Sequence, residues 1–359
     1  MADEVLTRRA LGRATLARQL LLRRSPLEAV EAVEHLVGLQ AQVPHDPYTA
    51  LWSRLDGFQP EELSELLEGR EVVRTGVMRG TIHLVTAADC LLLRPLMQPV
   101  FEGQLWRHRD HAPTLRELDL DPVVELGREV LAERPRTGTE LRTIFAERFP
   151  ALDPSALVYA CQMRLGLVQP PPRGLWGQNT QVTWTTAEAW LGRPMAAAPS
   201  FDDVVPRYLA AFGPATVADL TTWCRLTGLR EVVERMRPRL QTFRDERGRE
   251  LFDLPEAPRP DPATPAPPRF LPEYDNVLLS HADRSRFVSE RGRSALEGWT
   301  VGWGAVVFDG VVSGRWRLDR DEVVVRHVLG AKRAVASIAA EGRRLAAFLG
   351  AAGVRLEPV

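Results

Sequence analysis

The stretch Val72-Val73-Arg74-Thr75-Gly76-Val77-Met78-Arg79-Gly80-Thr81-Ile82-His83-Leu84-Val85 reads as two strands, residues 72–78 and 81–85, folded back on each other at Arg79-Gly80. β-branched residues recur in both runs, and the glycine sits where a tight turn needs positive φ. Upstream, residues 26–40 carry Val30, Val33, Leu36 and Val37 on one stripe at helical spacing. Residues 47–55 and 60–67 follow as two further helices, each opening on a proline, which the first helical turn tolerates. Three helices and then a hairpin is the element order of a winged helix, with the hairpin as its wing.

The same order recurs twice. Residues 122–133 and 139–148 read as helices, and residues 154–167 as a recognition helix capped by Asp153 with Pro154 at its first position; residues 169–185 supply the wing. The third copy takes residues 201–212, 216–226 and 229–236 as helices and 241–254 as a hairpin around Arg247-Gly248. Eight prolines between Pro255 and Pro272 then mark an extended wrap. Beyond it, residues 276–279, 299–308 and 311–318 alternate as strands, Asp309-Gly310 is a hairpin turn, and residues 331–349 close as a helix. The expected fold is mainly α with small β-sheets (α+β). It comprises a first winged helix with an N-terminal helix (1–118), a second (119–198), a third (199–256), a proline-rich linker (257–272) and a C-terminal α+β unit (273–359).

A chain of 359 residues, 45% hydrophobic, suits two or three compact units with real cores. Its apolar runs, such as 301–312, are broken well short of a membrane span, and Met1 to Arg9 has neither a signal core nor transit character, so a cytoplasmic location is expected. Cys90, Cys161 and Cys224 lie far apart in apolar helix-like stretches, as reduced core thiols do. The net charge of −1 hides a patchy distribution: residues 154–187 hold Arg164 and Arg173 and no acid, so a basic surface facing nucleic acid is compatible with a neutral sum.

Most chemistry lies in Leu36-Val37-Gly38-Leu39-Gln40-Ala41-Gln42-Val43-Pro44-His45-Asp46-Pro47. Pro44 disfavours helical geometry at Val43, so the first helix is expected to end near Gln42. Asp46 and Pro47 then read as the cap and first position of the next helix. Within a helix, residues two apart point in nearly opposite directions; at a helix end, both amides can face one cleft. The residues alone fit either that arrangement or ordinary capping.

Together with Arg79-Gly80-Thr81-Ile82-His83-Leu84-Val85 and Leu271-Pro272-Glu273-Tyr274-Asp275-Asn276-Val277-Leu278-Leu279-Ser280-His281, this segment resembles the winged-helix DNA glycosylases typified by the azinomycin-resistance enzyme AlkZ. The resemblance spans nearly the whole chain. That family is marked by a Gln-hydrophobic-Gln motif, which Gln40-Ala41-Gln42 matches with Ala41 as a small filler. A sister branch carries Asp in the second place, so Gln42 puts the chain with the self-resistance branch. The resemblance implies repair of alkylated DNA by excision of N7-alkylguanine, including bulky natural-product adducts and interstrand cross-links. It also implies a monomer acting on double-stranded DNA, with Gln40 and Gln42 catalytic and with His45, Arg79, His83, Asp275, Asn276 and His281 as candidates to line the cleft.

The chemistry of the residues agrees. A neutral amide is neither a strong base nor an acid able to protonate a leaving purine. Guanine alkylated at N7 is already cationic, so the site needs only to hold a water and stabilise the positive sugar, a task two amides can perform. Lys332 is the sole lysine and lies far from the motif, which argues for a monofunctional enzyme without Schiff-base chemistry and without a cofactor. For DNA phosphates the candidates are the run Arg284, Arg286, Arg291 and Arg293, with Arg173 on the second wing. His108, Asp110 and His111, and the group Asp275, Asn276, His281 and Asp283, match no metal-ligand spacing, so no metal is expected. The rival reading is a tandem winged-helix regulator without catalysis, but residues 154–167 offer few base-reading side chains, and hydrolase and Walker signatures are absent.

Overall fold

The computed structural model describes residues 4–290, 292, 293 and 301–359. Helix outweighs strand, 46% against 18%, so the chain is mainly α with small sheets. In chain order the first elements are β1 (Val5–Leu6), α1 (Arg8–Arg18), α2 (Ala29–His35), β2 (Leu39–Gln40), α3 (Asp46–Arg54), α4 (Pro60–Glu68), β3 (Val72–Gly76) and β4 (Ile82–Thr86). Next come α5 (Ala87–Leu96), α6 (Gln98–Leu105), α7 (Ala112–Leu115), α8 (Asp121–Glu133), β5 (Arg136–Thr137), α9 (Gly138–Arg148), α10 (Pro154–Arg164), β6 (Leu167–Val168), β7 (Thr183–Thr186) and α11 (Ala187–Leu191). A third set follows: α12 (Phe201–Phe212), α13 (Val217–Cys224), α14 (Leu229–Met236), β8 (Gln241–Asp245) and β9 (Glu250–Asp253). The chain closes with β10 (Arg269–Leu271), β11 (Gly304–Phe308), β12 (Val311–Asp319), β13 (Glu322–His327), α15 (Lys332–Leu349) and β14 (Gly353–Pro358).

Three sheets tie these elements together. The first two hairpins share one sheet in the order β2-β4-β3-β6-β7-β5, joined where Thr75 faces Val168. The third hairpin gains a parallel edge from the N-terminus, β1-β8-β9, and the last five strands run β10-β11-β12-β13-β14. One apolar core spans α2, α3 and the C-terminal sheet through Leu51, Trp52, Phe270, Trp316 and Ile338. Another joins the first hairpin to the third set of helices through Val37, Val85, Phe101, Tyr208, Phe212 and Trp223. No helix among the described residues is long and apolar enough to cross a membrane.

Four expectations are corrected. The first helix ends at His35, not near Gln42, because Val37 and Gly38 adopt φ of 54° and 91° and the Gly38 N–H closes on the Val33 carbonyl. A left-handed valine is strained, and a Cβ on Gly38 would lie 2.7 Å from Val85 Cγ1, so glycine is required to pass the chain under β4. Residues 276–278 form a 3-10 turn, not a strand, because the Asp275 side chain accepts from the Val277 N–H and caps it. The proline-rich linker stops short of residue 272: Arg269–Leu271 is a buried strand paired with β11. Before it, carbonyls of residues 258–264 are met by α1, whose Arg18, Arg9 and Arg13 donate to Pro258, Pro262 and Thr264. Finally, α3 starts at Asp46 with His45 as its cap, one residue earlier than read.

Among the described residues, the ion pairs Arg18–Asp253 and Arg54–Asp275 are fully buried. Arg18 grips Asp253 at 2.6 and 2.9 Å, and Arg54 on α3 grips Asp275 at 2.8 Å through both nitrogens. The second pair matters for the site because it anchors the turn that carries Asn276.

Candidate active site

Past Gly38 the chain forms the short strand β2, and Gln42 follows two residues later in the bend that leads to α3. Gln40 faces His83 across the β2–β4 ladder, and the Ala41 N–H continues the ladder to the Ile82 carbonyl at 2.9 Å. Gln40 is buried and its Oε1 accepts from Arg79 Nη2 at 2.5 Å. Gln42 is exposed and its Oε1 accepts the Ile82 N–H at 3.2 Å. A guanidinium and a backbone amide only donate, so both glutamines are held with their oxygens toward the sheet.

Arg79 owes its position to the turn. It sits at φ 58° with Gly80 at φ 67°, which swings its side chain back over the hairpin. There Nη2 also reaches Asn276 Oδ1 at 2.9 Å and His83 Nε2 at 3.2 Å, while Nη1 donates to the Trp223 carbonyl at 3.2 Å. Asn276 in turn donates to the Gly38 carbonyl at 3.1 Å. His83 must accept at Nε2, so its proton is on Nδ1, which donates to the Thr81 carbonyl at 3.0 Å. Burial, reinforced by the Arg79 charge, drops the His83 imidazole to about 3, so it is neutral at every working pH. Burial also lowers Arg79, to about 10, and it remains a cation.

A second arginine braces the motif from below. Arg74 on β3 is buried and donates through Nη2 to the Ala41 carbonyl at 2.9 Å, while its Nε and Nη1 have no partner among the described residues. The sequence reading missed it because only strand pairing brings it beneath Ala41.

Two hollows flank the motif. A cavity of about 230 Å³ is lined by Gln42, Thr81, Ile82, Phe101, Gln162 and Trp184. A larger one of about 530 Å³ begins at Val43 and includes His45, Asp46, Trp176, Glu273 and Trp316. His45 therefore borders the larger cavity, with its ring 6.1 Å from that of Trp176. Asp46, read from sequence as a helix cap, has an Oδ2 without a partner among the described residues. Burial first, then Glu273 and Asp275, push its carboxyl up to about 8, against a hydrogen bond from the Tyr274 backbone.

That shift predicts a pH dependence. The folded chain keeps a proton on Asp46 that the unfolded chain releases above about pH 4. Stability from this group is therefore complete below pH 4 and declines as pH rises toward 8. Asp46→Asn cannot ionise, so its urea midpoint should match the wild type near pH 4 and exceed it increasingly up to pH 8. Parallel curves across that range would contradict the shift.

Several expected site residues lie elsewhere. Asp275 is not on the cleft; its carboxylate is spent on Arg54 inside the core. His281 is buried behind α12, where Nε2 meets the Phe212 carbonyl at 3.0 Å, and burial with the nearby Arg286 charge lowers it to about 3. Arg286 is likewise internal, donating to Thr15 Oγ1 and the Pro214 carbonyl at 3.1 Å beside Asp219, and cannot reach DNA. A run of alternating arginines offered no sign that one of them turns inward. Arg284 and Arg293 are exposed, Arg173 is half-buried beside Arg74, and Arg291 lies outside the described residues.

The sequence matches the pattern of the AlkZ-like DNA glycosylases over residues 33–348. The chain belongs to that family. Among AlkZ-like relatives, an interstrand DNA cross-link repair glycosylase of Streptomyces sahachiroi is 26% identical over 334 residues, covering 86% of this chain and 87% of that protein. The solved Streptomyces sahachiroi DNA glycosylase AlkZ has the same fold, with a TM-score of 0.74 at 23% identity over 99% of this chain and all of that one. The AlkZ-like match takes in Gln40, Gln42, Arg79, His83 and Asn276.

Proposed function

We propose that the protein is a monofunctional DNA glycosylase that hydrolyses the N-glycosidic bond of N7-alkylguanine in double-stranded DNA, with bulky natural-product adducts and interstrand cross-links as its substrates. The observation that carries the reading is the pair of amides at the β2 edge, Gln40 fixed by Arg79 and Gln42 fixed by the Ile82 N–H. Each oxygen keeps a second lone pair, which can accept a proton of the attacking water and aim its oxygen at the anomeric carbon.

In the reaction, water adds to that carbon, the glycosidic electron pair leaves with the base as neutral N7-alkylguanine, and the water's spare proton passes to solvent. His83 is not the base: its one lone pair faces the Arg79 guanidinium. The substrate must therefore bring its own leaving-group activation, which is what N7 alkylation supplies. The three helix–hairpin units serve as winged helices on the duplex, with Arg284, Arg293 and Arg173 as candidate phosphate contacts, and the enzyme works as a monomer.

Incubating the protein with duplex DNA carrying N7-methylguanine, then heating in alkali, tests the activity. Strand breaks at the lesion above the enzyme-free rate are expected; binding without added breaks would favour a regulator.

A further inference from the structure

The larger cavity has a composition that DNA alone does not explain. Its walls combine the rings of Trp176, His45 and Trp316 with the carboxyl groups of Asp46 and Glu273. The rings are fixed in place: Trp316 Nε1 donates to the Leu271 carbonyl at 2.8 Å, and Trp176 packs on Tyr48 at 4.9 Å between centroids. Glu273 Oε2 accepts the Gly302 N–H at 2.9 Å, while Asp46 Oδ2 has no partner among the described residues. The one cation among the named lining residues, Arg317, is bound to Asp319 at 2.9 Å and lies over Trp303.

The Glu273 carboxylate repels phosphate, and Asp46, which otherwise holds its proton, adds a second negative charge when a cation lies beside it. They are useful only toward a ligand of opposite charge, and flat aromatic walls favour a planar cation. At about 530 Å³ the hollow has the size of sites that enclose drug-sized molecules.

We propose that this cavity is a binding site for a planar cationic heteroaromatic group, and that in the reaction above it receives the positively charged purine with its bulky N7 substituent. The inference rests on the N7-alkylguanine reading and deepens it. Aromatic walls hold the ring faces, the Glu273 carboxylate offsets the positive charge, the cation favours release of the proton that Asp46 otherwise holds, and the Gln40–Gln42 motif runs directly into Val43, the first lining residue.

The test uses the whole protein and a free probe, N-methylquinolinium, followed by quenching of tryptophan fluorescence, with neutral 1-methylnaphthalene as the uncharged counterpart. Saturable quenching is expected for the cation, at least about tenfold weaker for the neutral molecule and at least about tenfold weaker for the cation in Asp46→Asn with Glu273→Gln. Free N7-benzylguanosine should displace the probe. A melting temperature within error of the wild type shows that the variant is folded; if it melts early, Trp176→Phe with Trp316→Phe replaces it, and should lose most of the quenching and weaken displacement. No saturable binding, or binding indifferent to charge and to these substitutions, overturns the proposal. If the probe binds as expected but alkylated DNA is not cut, the glycosylase reading fails and the cavity stands; if DNA is cut and the probe does not bind, only the cavity proposal falls.

Discussion

Arg54→Ala is expected to lower the unfolding free energy by about 3–5 kcal/mol, the cost of leaving a buried carboxylate without its partner. Arg54 and Asp275 are each about 1% exposed and joined through two 2.8 Å bonds, so neither charge can turn to solvent when the other is removed. Asp275→Ala should cost a similar amount, since it strands the guanidinium and also uncaps the Val277 N–H. The double variant Arg54→Met, Asp275→Leu should cost much less than the two single losses combined, because neither charge is then buried. Urea unfolding of the four proteins measures these losses, and a single-variant loss below about 1 kcal/mol would show that water reaches the pair. The pair joins residues 221 positions apart and holds the Asn276 turn against α3, so the loss should be felt at the site as well as in stability.

Arg79→Met is the second large effect. The substitution removes the single cation that touches Gln40, His83, Asn276 and the Trp223 carbonyl. Two buried acceptors, His83 Nε2 and Asn276 Oδ1, would be left to find other donors, at a cost of about 1–3 kcal/mol each when they cannot. The Gln40 amide is then free to rotate, and misplacement of a positioning group by about 1 Å lowers a rate by roughly a hundredfold. A single-turnover rate on N7-methylguanine DNA reduced by that factor, with an unchanged DNA Kd, is the expected pattern. Arg79→Lys should recover little, because one ammonium cannot span acceptors that a planar guanidinium meets together. An unchanged rate would separate Arg79 from the chemistry.

Helical periodicity and hairpin turns were legible from the chain. Residues 201–212 and 229–236 form α12 and α14 as their spacing predicts, and Asp309-Gly310 turns between β11 and β12 at φ 47° and 82°. What the periodicity could not carry is pairing between distant segments. The apolar stripe through Leu36 and Val37 looks helical past the true end of α2, and only the close approach of Val85 makes Gly38 a stop signal. The strand identity of Gln40 depends on β4, more than forty residues later, and so does the hydrogen bond that holds Gln42. Arg74 beneath Ala41 and Asp46 beside Glu273 arise from the same kind of long-range contact. In the arginine run after His281, exposure is decided residue by residue: Arg286 fills a core position next to Asp219, whereas Arg284 and Arg293 are exposed.

The proposed excision rests on two neutral amides, Gln40 and Gln42. Single-turnover release of N7-methylguanine from duplex DNA, measured for the wild type and for Gln40→Ala combined with Gln42→Ala, tests it most directly. A loss of roughly 10²–10³-fold in the rate, with DNA binding retained, is expected. A double variant that releases the base at the wild-type rate would contradict it.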